Sequence, residues 1–227
     1  MIRRRHAFAA VATLSVLAGP AHAASNLIQD GSFEGLTVNP GGYVNYTSVG
    51  SALQAGSAWF MGAGTSLNAV SSTYTESPLV FNALQGLVSM DLTGTGNTGA
   101  NALYQDVATT AGTQYTLSFW VGNADDTRPS YPGPSTLKLS IEGNDVGTFA
   151  ATATTPNGIT WQQFTYSFTA ADALTRIAFT NATPSGNNLA GLDDVVLTPV
   201  PEASEWAMML AGLGVVGLIA RRRRAGA

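Results

Sequence analysis

Apolar and polar positions alternate through much of the C-terminal half of the chain. In YTLSFWVG, Tyr115, Leu117, Phe119 and Val121 share one face, and Thr116, Ser118 and Trp120 share the other. TLKLSIEG (Thr136 to Gly143) sets Leu137, Leu139 and Ile141 inward, and WQQFTYSFTA (Trp161 to Ala170) sets Phe164, Tyr166 and Phe168 on one side. LTRIAFTN (Leu174 to Asn181) and LDDVVLTP (Leu192 to Pro199) follow, with LQGLVSMDL (Leu84 to Leu92) and NALYQDVAT (Asn101 to Thr109) as further strands upstream. IEGNDVGTF reads as a hairpin turning at Gly143-Asn144-Asp145. No helical period of ten residues or more occurs between the two ends of the chain. Many short strands, connected too briefly for crossover helices, predict an all-β antiparallel β-sandwich, a jelly roll. Two stretches resist the pattern: the loop-like Gly122 to Ser135, and Leu36 to Pro78, which is rich in Gly, Ser and Thr with scattered aromatics.

Both ends break the pattern. Arg3, Arg4 and Arg5 precede an apolar stretch from Ala7 to Ala18, and Ala21-His22-Ala23 is a small-x-small cleavage site. This reads as a secretory signal peptide over 1–23, cut after Ala23. At the other end, an apolar run of 15 residues, Trp206 to Ala220, meets Arg221, Arg222, Arg223 and Arg224. As a helix it would reach roughly 22 Å, against a hydrocarbon core of about 30 Å. It therefore reads either as a short transmembrane anchor or as a tag that is read and removed. The domain proper is 24–199, long enough for one core.

Setting the ends aside changes the charge. The middle keeps only Arg128, Lys138 and Arg176 against 12 acids, a formal net charge of −9. Such a domain has no electrostatic footprint for nucleic acid. Both histidines lie in the signal peptide and there is no cysteine, which excludes Ser-His-Asp and Cys-His nucleophiles, haem and zinc sites of the usual kind, and disulfides. Carboxylate chemistry and oxygen-ligated calcium remain.

Val200-Pro201-Glu202, the apolar run and the terminal arginines resemble, in order and spacing, the PEP-CTERM sorting signal of bacterial exported proteins. Ala203 stands where that signal usually has a second proline. The resemblance implies a segment 200–227 recognised by an exosortase, with cleavage near Pro201-Glu202. It implies secretion machinery as a partner, a membrane held through the C-terminal helix before processing, and delivery to the cell surface, outer envelope or matrix.

The domain opens with NLIQDGSFEG (Asn26 to Gly35) and closes with GLDDVVL (Gly191 to Leu197). With ALYQDVATTAGTQYTLSFWVG and WQQFTYSFTA between them, these resemble the galactose-binding-like jelly rolls that include many carbohydrate-binding modules. In a sandwich the first and last strands can lie side by side, bringing Glu34 near Asp193 or Asp194. Crowded acids repel unless a cation joins them, and calcium takes six to eight oxygens. The resemblance implies a structural calcium on Glu34, Asp193 and Asp194, with Asp30 as a further oxygen donor. In the alternative, the Asp pair blunts an edge strand and Glu34 is solvated.

A sugar site needs aromatic platforms beside polar groups. The candidates are Trp59, Tyr43, Tyr46 and Tyr74 in the unpatterned stretch, Trp120, and Tyr131 with Asp125, Asp126 and Arg128 in the loop. The competing reading is sheet packing for Trp120 and Trp161, and an ordinary solvated loop around Tyr131. The domain's glutamates, Glu34, Glu76 and Glu142, are scattered, which argues against a glycoside hydrolase. The chain thus reads as a non-catalytic exported protein. Its sandwich binds exopolysaccharide or is a structural part of envelope or biofilm matrix with no discrete ligand site.

Overall fold

The computed structural model describes residues 25–96, 99–125, 131–184, 188–201 and 203–225. The signal-peptide reading, Ala23, Asp126, Arg128 and Glu202 therefore lie outside the described residues. The strands are β1 (Tyr43–Tyr46), β2 (Phe60–Ala63), β3 (Leu67–Ser71), β4 (Thr75–Glu76), β5 (Leu79–Val80), β6 (Val88–Asp91), β7 (Ala102–Ala108), β8 (Gln114–Asp125), β9 (Ser135–Ile141), β10 (Asn144–Ala151), β11 (Gly158–Thr169), β12 (Leu174–Asn181) and β13 (Gly191–Pro199), followed by one helix, α1 (Ala203–Ala225).

Two sheets face each other. One has the order β1-β3-β6-β13-β8-β11, the other β10-β9-β12-β7-β2, and β4-β5 form a separate pair. All the pairings are antiparallel. The expected antiparallel sandwich is present. The alternating residues do what the pattern asks: Leu117, Phe119 and Val121 of β8 meet Leu137 and Leu139 of β9 and Ile177 and Phe179 of β12 in one core. Phe119 sits at its centre, 4.9 Å from Phe179 and 5.1 Å from Phe149 between ring centroids. At about 25 cal/mol per Å² of apolar surface, this layer is the main source of stability.

Several boundaries move. β8 runs on to Asp125, so the first residues of the expected loop are strand, paired with Gly158–Trp161 of β11. The β9–β10 turn is at Glu142-Gly143, with φ of 51° and 76°, because a two-residue hairpin needs positive φ at both central positions. The unpatterned stretch holds β1 to β4. β3 is buried on both faces, which erases alternation. The opening segment is a chain of turns rather than a first strand, with Asp30 and Phe33 at φ of 52° and 62°.

The two ends of the domain do lie together. Leu27 N donates to Leu197 O at 2.9 Å, and Leu197 N donates to Asn26 Oδ1 at 2.9 Å. Beyond β13, Val200 N still bonds Gln114 O at 2.8 Å, and Ala203 then begins α1. Residues 211–222 of that helix are exposed. The helix continues through the arginines, but among the described residues no helix is long and apolar enough to cross a membrane. The expected transmembrane span is corrected to this extent: 15 apolar residues, broken by Gly212, Gly214 and Gly217, are too few.

Candidate functional site

The outer face of the six-stranded sheet carries an unusual row. Across it, Asn68 of β3 lies opposite Asp91 of β6, Asp91 opposite Gly191 of β13, Gly191 opposite Gly122 of β8, and Gly122 opposite Trp161 of β11. The two glycines keep this part of the face flat. A Cβ on Gly191 would sit 2.9 Å from Gly122 Cα, and one on Gly122 would sit 2.8 Å from the Trp161 ring. Trp161 lies over that flat strip and donates its Nε1 to Asn82 O at 3.0 Å.

Residues 74–82 fold back over the same face. Phe81 N bonds Tyr74 O, and Asn82 exchanges two bonds with Ile159. Val70, Leu79, Phe81, Ala124, Ile159 and Leu189 form a second, smaller apolar cluster beneath this cover. Its aromatic edge is a row of rings: Tyr43 to Tyr74 at 5.4 Å, Tyr74 to Phe81 at 5.1 Å, Phe81 to Tyr131 at 6.3 Å. Such tilted and edge-on contacts are the favoured aromatic geometry. Glu76 clasps the row. It accepts from the Tyr74 hydroxyl at 3.0 Å and from the Tyr131 hydroxyl at 2.7 Å, one on each oxygen. Asn188 fastens the Tyr131 backbone by donating to Tyr131 O and Gly133 O. Burial, with Glu76 beside it, pushes the Tyr74 hydroxyl up to about 12, and the same causes push Tyr131 up.

The rings border a cleft of about 350 Å³ with Asn68 and Asp91 at its floor. Asn68 is 8% exposed, and its Oδ1 is buried without a hydrogen-bond partner. Asp91 is 9% exposed. It accepts from Thr93 N at 2.9 Å, Thr93 Oγ1 at 2.6 Å and Ala190 N at 3.3 Å, all on Oδ1. Burial raises its carboxyl above the usual range.

The four acids at the domain ends are arranged differently. Asp193 is fully buried; Oδ2 takes Leu84 N at 2.9 Å and Gln85 N at 3.1 Å, and Oδ1 takes Asp194 N at 2.7 Å. Burial pushes it up to about 7. Glu34 Oε1 caps Leu87 N and Val88 N at 2.8 and 2.9 Å, and Asp30 Oδ1 caps Gly35 N at 2.9 Å. Asp30, Glu34 and Asp194 border one open groove, but Asp193 does not. Among the described residues no group of three or more His, Cys, Asp or Glu side chains is placed to hold a metal ion. Three of the four carboxylates, Asp30, Glu34 and Asp193, hold loops through backbone N–H groups.

Of the aromatic candidates, Tyr131, Tyr43 and Tyr74 reach the cleft. Trp59 does not. It is 0% exposed, tilted against Phe33 with ring centroids 5.3 Å apart, and its Nε1 donates to Asp30 O at 2.8 Å, so it fills the core and offers no platform. Trp120 is half-buried on the outer sheet face beside Asp193 and Gln163, outside the cleft lining. Asp125 closes β8 through its backbone, taking Asn157 N at 2.7 Å, and also stays outside the cleft lining. Tyr46 bonds Gln54 and is likewise elsewhere. Asn68, Asp91, Glu76 and Phe81 were not anticipated as site residues. The signal for Asp91 was an acid inside the apolar run LVSMDL.

Val200 and Pro201 stand immediately past the last strand, joined to a helix that ends in arginines. Residues 199–224 match the family described as the PEP-CTERM protein-sorting motif. The chain carries a PEP-CTERM sorting signal. The PEP-CTERM tail implies export and exosortase-mediated sorting to the surface. No curated protein matches the chain. Among solved structures, the sandwich is similar to TmCBM61 in complex with beta-1,4-galactotriose (16% identity, 78% of this chain, 99% of that chain, TM-score 0.43). It is also similar to the CBM22-1 xylan-binding domain of Paenibacillus barcinonensis Xyn10C (15% identity, 74% and 100%, TM-score 0.41). A third likeness is to the EclA C-terminal domain, a sugar-binding protein, with 15% identity, 42% of this chain and TM-score 0.34; the chain spans 64% of that domain's length.

Proposed function

We propose that this chain is an exported surface protein that is cleaved by an exosortase near Pro201-Glu202 and holds extracellular polysaccharide in its tyrosine cleft. The observation that carries the second part is the pairing of an aromatic border, Tyr43, Tyr74, Phe81 and Tyr131, with an unsatisfied buried acceptor, Asn68 Oδ1, and the carboxylate of Asp91 at the cleft floor. Sugar rings present apolar CH faces and hydroxyl edges, and this cleft offers a partner for each. The module binds without cleaving. Glu76 spends both oxygens on tyrosine hydroxyls, which leaves it poorly placed to act as acid or nucleophile.

Isothermal titration of the full chain in mild detergent with oligosaccharides cut from the host's own exopolysaccharide tests this. Saturable binding, weakened by Tyr43→Ala, is expected; Tyr43 is 47% exposed and can be truncated without opening the core. No binding to any oligosaccharide would contradict the reading and leave a matrix protein without a ligand site. Intact mass of the surface-released form is expected to lack Arg221 to Arg224.

A further inference from the structure

Two acceptor atoms at the floor of the cleft are left open by the described residues. Asn68 Oδ1 has no partner, and the bonds that Asp91 accepts from described residues all fall on Oδ1, which leaves Oδ2 for a ligand. The two residues are register partners on adjacent strands, so their side chains rise side by side from the same face. A buried acid is normally matched by a cation. Here the described basic residues of the domain are engaged on the other sheet. Lys138 pairs with Asp145 at 2.9 Å, and Arg176 pairs with Asp106 at 2.7 Å while lying 4.0 Å from the Tyr104 ring centre. Among the described residues, no lysine or arginine borders the cleft.

Open acceptors ask the ligand for donors, and an acid with no counter-cation among the described residues asks it for positive charge. Ring faces carry negative potential and attract cations within about 6 Å. The domain's net charge of −9 adds a favourable field. A uronic acid would set carboxylate against carboxylate. An N-acetylated or unsubstituted neutral hexose supplies hydrogen bonds but leaves Asp91 without a counter-charge. We propose that the cleft selects a hexosamine residue with a free, protonated amine, seated against Asn68 Oδ1 and Asp91 Oδ2. This rests on the cleft being the glycan site and names the sugar chemistry it prefers. Burial of Asp91, which favours its neutral form when the cleft is empty, is offset when the amine arrives.

The test is a panel of equal-length oligosaccharides titrated at neutral pH into the full chain: glucosamine, N-acetylglucosamine, glucose and galacturonate tetramers. The glucosamine tetramer is expected to bind at least about tenfold more tightly than its N-acetylated counterpart, with the galacturonate tetramer weakest. Asp91→Asn, which keeps the Oδ1 acceptor, is expected to shrink that gap to below about threefold, whatever it does to overall affinity. Equal or tighter binding of the acetylated, neutral or acidic tetramer overturns the inference, as does a gap that survives Asp91→Asn. If the variant does not fold, the wild-type panel still decides. Binding of neutral tetramers without an amine preference defeats this inference alone; no binding by any member defeats the glycan reading with it.

Discussion

The chain gathers acids in two places, and they are used in opposite ways. At the junction of the domain's ends, Asp193, Glu34 and Asp30 direct oxygens to backbone N–H groups of residues 84, 85, 87, 88, 194 and 35. In the tyrosine cleft, Asn68 and Asp91 keep acceptor atoms that the described protein does not fill. The lesson is that an acidic residue's role is read from where its lone pairs end. Lone pairs spent on backbone groups tie loops down. Lone pairs left at a ring-bordered cleft wait for a ligand, because an unsatisfied buried acceptor costs about 1–3 kcal/mol.

The largest expected effect separates the junction from everything else. The folded-state pKa of Asp193, about 7, lies above its ordinary 3.8. The folded state therefore holds a proton there that the unfolded state has released. The contribution of this group to stability is full below pH about 4 and is lost as pH rises to about 7, by about 1.4 kcal/mol for each unit of the shift. Urea denaturation across that range should show the decline, and Asp193→Asn should flatten it. A wild-type curve that rises through the same window would contradict the assignment.

Next in size, Tyr131→Ala should weaken oligosaccharide binding about tenfold or more and leave the pH dependence of stability unchanged. Loss of that pH dependence would show the two regions to be coupled. Asn68→Ala is smaller and more diagnostic. It removes an unpaired buried acceptor, so stability should hold or rise by up to about 1 kcal/mol while affinity falls. A clear loss of stability would mean that Oδ1 is satisfied within the fold. Smallest is Glu34→Ala. Its exposed carboxylate caps two N–H groups, and the loss should stay below about 1 kcal/mol and be equal in calcium and in EDTA. A loss confined to calcium would support the structural-ion reading instead.

The sandwich was legible because β8, β9 and β12 each bury one face and β11 half-buries one, so a period of two survives in their sequence. The juxtaposition of the domain ends was legible from NLIQDGSFEG and GLDDVVL, although the first is turns rather than strand. The cleft was only partly legible. Tyr131, Tyr43 and Tyr74 stood out as aromatics in polar surroundings. Its floor was hidden because β3 and β6 are buried on both sides, and residues 74–82 that cover them are remote in sequence from Tyr131 and Asn188. Trp59 misled for the converse reason: a Gly- and Ser-rich neighbourhood reads as surface, yet the ring closes the end of the core against Phe33 and the opening turns.

Hydrogen–deuterium exchange of the full chain, with and without saturating oligosaccharide, tests the contrast between the two regions most directly. Slowed exchange is expected in β3, β6 and around Tyr131 and Asn188, with residues 26–36 and 191–197 unchanged. Protection confined to 26–36 and 191–197 would contradict it and move the ligand to the acidic junction.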